Sequence, residues 1–184
     1  QDSSFLYYFG QHRDGLVGVI NIDNDEEWLF GDDIDVEDIV WMGYTPSVAD
    51  LAAEVGVTKT APMAQLKEIV NRQSVNRQSV HFLPPYRFDI QIQIMDLLGI
   101  HPSQQKEKAS LPLIQAVVKM RSTKSREEIA YIDAACDVGY VMHTTAQLLI
   151  KPNVTERFVA GQVDGIARSL SQGNGFPTIF SQHG

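Results

Sequence analysis

From Ser125 to Lys151 the sequence keeps a helical period without a break, and that run limits what the chain can become. Ser125, followed three residues later by Glu128, is a capping-box match. Ile129, Ile132, Cys136, Gly139, Met142 and Ala146 then recur at helical spacing, and Lys151-Pro152-Asn153 ends the run. The spacing predicts one long helix over 125–150. Thr155 caps a second helix, with Glu156 near its positive end. Phe158, Val159, Val163, Ile166, Ala167 and Leu170 form its apolar stripe, and Gly173 closes it. The apolar stretch Phe176–Ser181 after it reads as a strand.

The first part of the chain has a different rhythm. Phe5 to Phe9 reads as a short aromatic strand closed by Gly10. Leu16 to Ile22 is a β-branched strand with a turn-prone exit at Asn21–Asp25, and Trp28 to Phe30 is a third strand ended by Gly31. Short strands with this punctuation predict an antiparallel meander. Helices follow: Ser47 caps Val48–Val55 with Asp50 at the third position, and Ala64–Val70 is a shorter candidate. Val80–Leu83 is strand-like up to Pro84-Pro85, and Asp89–Leu98 is helical with Ile90, Ile94 and Leu97/Leu98 on one face, closed by Gly99. Mixed strands and helices place the chain in the α/β class. The tandem repeat Asn71–Val75 and Asn76–Val80 is too short for a solenoid and reads as a surface-loop duplication. The polar run His101–Lys108 marks a boundary, giving domains over 1–113 and 114–184.

Composition narrows the function classes. Hydrophobic residues make up 43% of 184, enough for a packed core. The net charge of −8, without a Lys/Arg cluster, argues against nucleic acid and against an anionic membrane surface. Cys136 is the single cysteine, so an intrachain disulfide or a thiolate metal cluster is impossible. The sequence carries no membrane-length apolar run, and a cytoplasmic location is the expectation.

No residue is singled out as catalytic, substrate-binding or metal-ligating. His12, His81, His101, His143 and His183 do not stand at metal spacing. His143 reads as a satisfied helix histidine and His183 as a structural residue at a strand end. Cys136 reads as a packed core thiol. The acidic residues Asp23, Asp25, Glu26, Glu27, Asp32 and Asp33 lack the EF-hand pattern and read as a solvated hairpin turn. Gly173 and Gly175 follow a helix, the wrong order for a dinucleotide fingerprint, and read as a cap and loop.

Taken as words, several segments resemble one family. Gln1–Gly10 resembles the "QDS-F-Y-TG" stretch of the N-terminal domain of Xaa-Pro aminopeptidases, and Trp41-Met42-Gly43 resembles the "W-G" of that domain. Leu83–Arg87 also fits its relatives. Arg121–Ile129 resembles the "R-x-x-K-S-x-x-E-I" entry into the pita-bread catalytic domain of the aminopeptidase P, prolidase and creatinase superfamily. Gly175–Ile179 resembles the "F-P-T-I" strand before the active site there.

The resemblance implies a creatinase-like N-terminal domain, a mixed sheet flanked by helices, followed by the first helices and strand of a truncated pita-bread domain. It implies a parent metallopeptidase that hydrolyses Xaa-Pro bonds with two divalent metal ions, manganese above all. Two Asp, one His and two Glu hold these ions in the family, and hard oxygen-rich ligation suits that metal. All five ligands lie beyond the segment resembled by Phe176–Ser181. The sequence therefore reads as cut at both ends, inactive by itself and without a metal. The expected partners are a peptide with proline at its second position and further copies of the chain. The alternatives are a non-catalytic binding or assembly module and a creatinase-type amidinohydrolase.

Overall fold

The computed structural model describes residues 2–74 and 80–182. It divides into two compact units, Gln1–Val118 and Lys119–Gly184.

The N-terminal unit is built on a small mixed sheet. Val17–Asn21 (β1) pairs antiparallel with Glu26–Phe30 (β2), in a register that sets Gly18 opposite Leu29. Lys59–Ala61 (β3) pairs parallel with β2, setting Leu29 opposite Thr60. The strand order β1-β2-β3 puts β2 in the centre. Successive side chains of a strand point to opposite faces. Leu29 therefore packs with Phe9, Leu16, Val48, Leu51, Ala52 and Val57. Its neighbour Phe30 packs with Ala61, Leu66, Ile69 and Val70 on the other side. Both are 0% exposed, so one strand anchors two cores.

Helices cover both faces. Ser3–Phe9 (α1) and Val48–Glu54 (α3) contribute to the Leu29 core. Leu66–Ser74 (α4), preceded by a single 3-10 turn Met63–Gln65, contributes to the Phe30 core. Phe88–Leu98 (α5) adds Leu97 there and ends at Gly99, whose φ of 69° makes the left-handed cap that the sequence predicts. Val36–Met42 (α2) is a short helix with exposed apolar residues. Pro102–Lys108 (α6) is held to α5 by Gln105, which is 1% exposed; its Nε2 donates to the Gln91 carbonyl at 2.7 Å and the Ile100 carbonyl at 2.8 Å. Leu111–Ser122 (α7) follows.

Arg126–Leu149 (α8) is the long helix read from the capping box, and both arms of the box form at Ser125 and Glu128. At 24 residues it is about 36 Å long. Glu156–Leu170 (α9) packs along it, with Thr155 accepting the Phe158 amide and Val159, Val163 and Ala167 buried.

Five sequence expectations are corrected. Phe5–Phe9 is helix α1, not a strand: Asp2 Oδ1 accepts the amides of Ser4 (2.8 Å) and Phe5 (3.1 Å), and Gly10 closes the turn at φ 62°. Without that strand the antiparallel meander is lost, and the third strand is Lys59–Ala61, joined parallel. Val80–Leu83 is irregular, since the proline pair breaks the ladder on one side. Phe176–Ser181 is also irregular, with no strand partner among the described residues. Of the surface loop expected over the repeat at 71–80, Asn71–Ser74 are helical in α4 instead, and 75–79 lie outside the described residues.

Candidate functional site

The N-terminal unit holds two concavities. The larger, about 580 Å³, lies among Gln11, His12, Arg13, Thr45, Pro46 and Glu54. Its geometry follows from the C-terminal cap of α1. Once Gly10 turns the chain, Gln11 is buried beside α3, where its Nε2 donates to the Leu51 carbonyl at 2.8 Å and to Glu54 Oε2 at 3.4 Å. Arg13 then reaches across the loops, donating from Nη1 to the Pro46 carbonyl at 3.3 Å and from Nη2 to the Asp32 carbonyl. Thr45 Oγ1 is buried without a hydrogen-bond partner among the described residues. His12 is exposed on the rim. Chemically, the cleft offers a guanidinium already committed to backbone carbonyls, one hydroxyl and one carboxylate. It does not assemble a nucleophile with a base.

The smaller groove, about 290 Å³, runs between α4 and α5, with Leu66, Ile92 and Leu97 on its floor and Lys67, Asp89 and Asp96 at its edges. Asp89 is held by Arg87, Nε at 3.1 Å and Nη2 at 2.6 Å. That hydrogen bond to Arg87 keeps the Asp89 carboxyl below its ordinary range.

The histidines are placed singly. His81 Nδ1 shares a hydrogen bond with Ser110 Oγ at 2.6 Å, and His101 caps α6 by accepting the Ser103 amide at 3.3 Å. His143 is exposed on α8, and His183 lies outside the described residues. Cys136 is exposed, which corrects the reading of a packed thiol: α8 has no fully buried residue, and Ile129 and Ile132 of the same stripe are exposed too.

The acidic residues have work that spacing did not reveal. Asp33 Oδ1 accepts the first amide of α3, from Val48, at 2.7 Å. Asp32 Oδ1 accepts the Met63 amide at 3.0 Å, where the 3-10 turn begins. Both satisfy helix-start donors across more than a dozen residues of chain, so no local capping pattern could show them. No group of three or more His, Cys, Asp or Glu among the described residues is arranged to hold a metal ion.

With this geometry in place, comparison assigns the front of the chain. Residues 1–81 match the family model described as aminopeptidase P, N-terminal domain. That stretch, under half of the chain, is similar to the aminopeptidase P N-terminal domain. A likeness of fold extends past the matched residues. The structure is similar to that of aminopeptidase PepP from Pseudomonas aeruginosa, with a TM-score of 0.74 at 20% sequence identity. The likeness covers 92% of this chain and 40% of that one, so this chain spans less than half the length of that aminopeptidase. Among curated proteins none matches. The mixed sheet, the Leu29 core and the larger cleft all lie within residues 1–81, the stretch that matches that family model.

Proposed function

We propose that this chain is the N-terminal domain and the first part of the catalytic domain of a metallopeptidase that hydrolyses Xaa-Pro bonds. The observation that carries this reading is the aminopeptidase P N-terminal match over residues 1–81, continued by a like fold over 92% of the chain. In this reading, residues 1–113 shape the entrance to the active site and contribute to contact between copies. Residues 114–184 begin the pita-bread domain, with most of α7 and then α8 and α9 as its first helices.

The parent enzyme would use two divalent cations, manganese first, to generate hydroxide at neutral pH. The described residues do not fit that group, because they bring no carboxylate and imidazole set together. No step of hydrolysis is therefore derived through them. Their part is scaffolding: the two-sided core around β2 holds the loops of the cleft, and the caps at Ser47 and Ser125 fix where α3 and α8 start.

A non-catalytic binding module is the second reading, favoured by the bare apolar surface of α2 and α8. One assay separates the two. The whole native protein is incubated with Xaa-Pro peptides and Mn²⁺, with and without chelator. Release of the first residue that chelator abolishes supports the peptidase; an inert protein that still binds peptide supports the module.

A further inference from the structure

We propose that Asn174-Gly175 is a site of spontaneous deamidation, and that its reaction loosens the segment after α9 from that helix. The segment is irregular but tied down. Asn174 Nδ2 donates to Asp164 Oδ1 at 2.8 Å and to Thr178 Oγ1 at 3.0 Å. The Thr178 hydroxyl donates to the same Asp164 oxygen. Asp164 belongs to α9, so one carboxylate gathers both residues onto the helix. Farther along, the Gln182 amide donates to Glu156 at the start of α9. Above these polar ties Phe176 is 71% and Ile179 84% exposed, so apolar burial contributes little to holding the segment.

The chemistry needs only the chain and water. The Gly175 backbone nitrogen attacks Asn174 Cγ. A new N–C bond forms, the Cγ–Nδ2 bond breaks, and ammonia leaves with the proton that the Gly175 amide gives up. Water then opens the succinimide ring at either carbonyl, giving aspartate or isoaspartate. Gly175 has no Cβ to obstruct the approach of its nitrogen. Both residues are exposed, so water and base reach them. Every other asparagine is followed by a residue with a side chain: Ile22, Asp25, Arg72, Arg77 and Val154.

The product reverses the local electrostatics. Two donated hydrogen bonds are lost, and a carboxylate replaces the amide against Asp164, where like charges repel. The isoaspartate form also lengthens the backbone by one carbon. The latch and the reaction oppose each other: hydrogen bonds to Asp164 and Thr178 hold the amide back from attack, and attack removes those bonds.

The test incubates the 184-residue chain in mildly alkaline buffer. Peptide mapping by mass spectrometry follows each asparagine, isoaspartyl methyltransferase labels the isoaspartate, and hydrogen exchange follows the Gln182 amide. Conversion at Asn174 is expected to outpace that at Asn24 and Asn153 by about tenfold, a barrier lower by ~1.4 kcal/mol. Gly175→Val is expected to suppress it and Thr178→Ala to accelerate it. Asn174→Asp is expected to lower the exchange protection of the Gln182 amide, which the latch holds at Glu156, without incubation. Conversion at Asn174 no faster than at Asn153, a Thr178→Ala rate equal to the parent's, or an unchanged Gln182 amide in Asn174→Asp would each overturn the proposal.

Discussion

At the scale of single residues, the tightest constraint is Gly18 in the middle of β1. A Cβ built there would collide with the Phe9 ring, which lies over the strand where other residues would carry a side chain. Gly18 thus lets α1 dock flat on the sheet, and Phe9 is buried as a result. Gly18→Ala is expected to destabilise the chain by about 1–3 kcal/mol through overpacking. Phe9→Leu in the same chain should recover part of that loss, and a double-mutant cycle in urea measures the coupling. Leu29 fails in the opposite way: Leu29→Ala opens a cavity in a fully buried site and is expected to cost about 2–5 kcal/mol. Asp33→Ala leaves the Val48 amide without its acceptor and is expected to cost about 1 kcal/mol, read as a shift in the urea midpoint.

At the scale of elements, α1 shows what the sequence hides. Phe5-Leu6-Tyr7-Tyr8-Phe9 is a continuous apolar and aromatic run, which suits a short buried strand as well as a helix. Phe5 and Phe9 are also four apart, the spacing of helix neighbours, and their rings stack at 5.2 Å. The deciding residue is Asp2, whose side chain takes up two amides at the helix start. The capping boxes at Ser47 and Ser125 were legible because both partners lie within four residues. β3 was not: three residues, Lys59–Ala61, become a strand by pairing with β2, which is a tertiary contact. The cleft of Gln11, Arg13 and Thr45 was illegible for the same reason, since its hydrogen bonds join residues 19 to 43 positions apart. Sheet pairing also carries a charge pair, Glu26 of β2 with Lys59 of β3. The hydrogen bond from Lys59 holds the Glu26 carboxyl below its ordinary value of 4.5. A depressed folded pKa contributes stability above the unfolded value, and that contribution is lost as the pH falls through the folded one. Glu26→Gln is expected to flatten the acid limb of a urea midpoint measured against pH. An acid limb identical to the parent's would contradict this.

At the scale of the whole molecule, both units leave apolar surface bare. Val36, Val40, Trp41 and Tyr44 are exposed in and after α2, Trp41 at 89%. Ile129, Tyr131, Ile132, Tyr140 and Leu148 are exposed on α8, and Phe158 and Leu170 on α9. Apolar area on this scale favours association. Light scattering is expected to give a mass above the monomer that grows with concentration, and Trp41→Glu with Ile132→Glu to lower it. A monomer at all concentrations would contradict that expectation. The proposed function divides the labour, with scaffold in these residues and metal chemistry elsewhere in the proposed parent peptidase. Calorimetric titration of the purified 184-residue chain with Mn²⁺ tests it most directly. No stoichiometric binding is expected, because no ligand set is gathered among the described residues. Tight binding of one or two equivalents would contradict it.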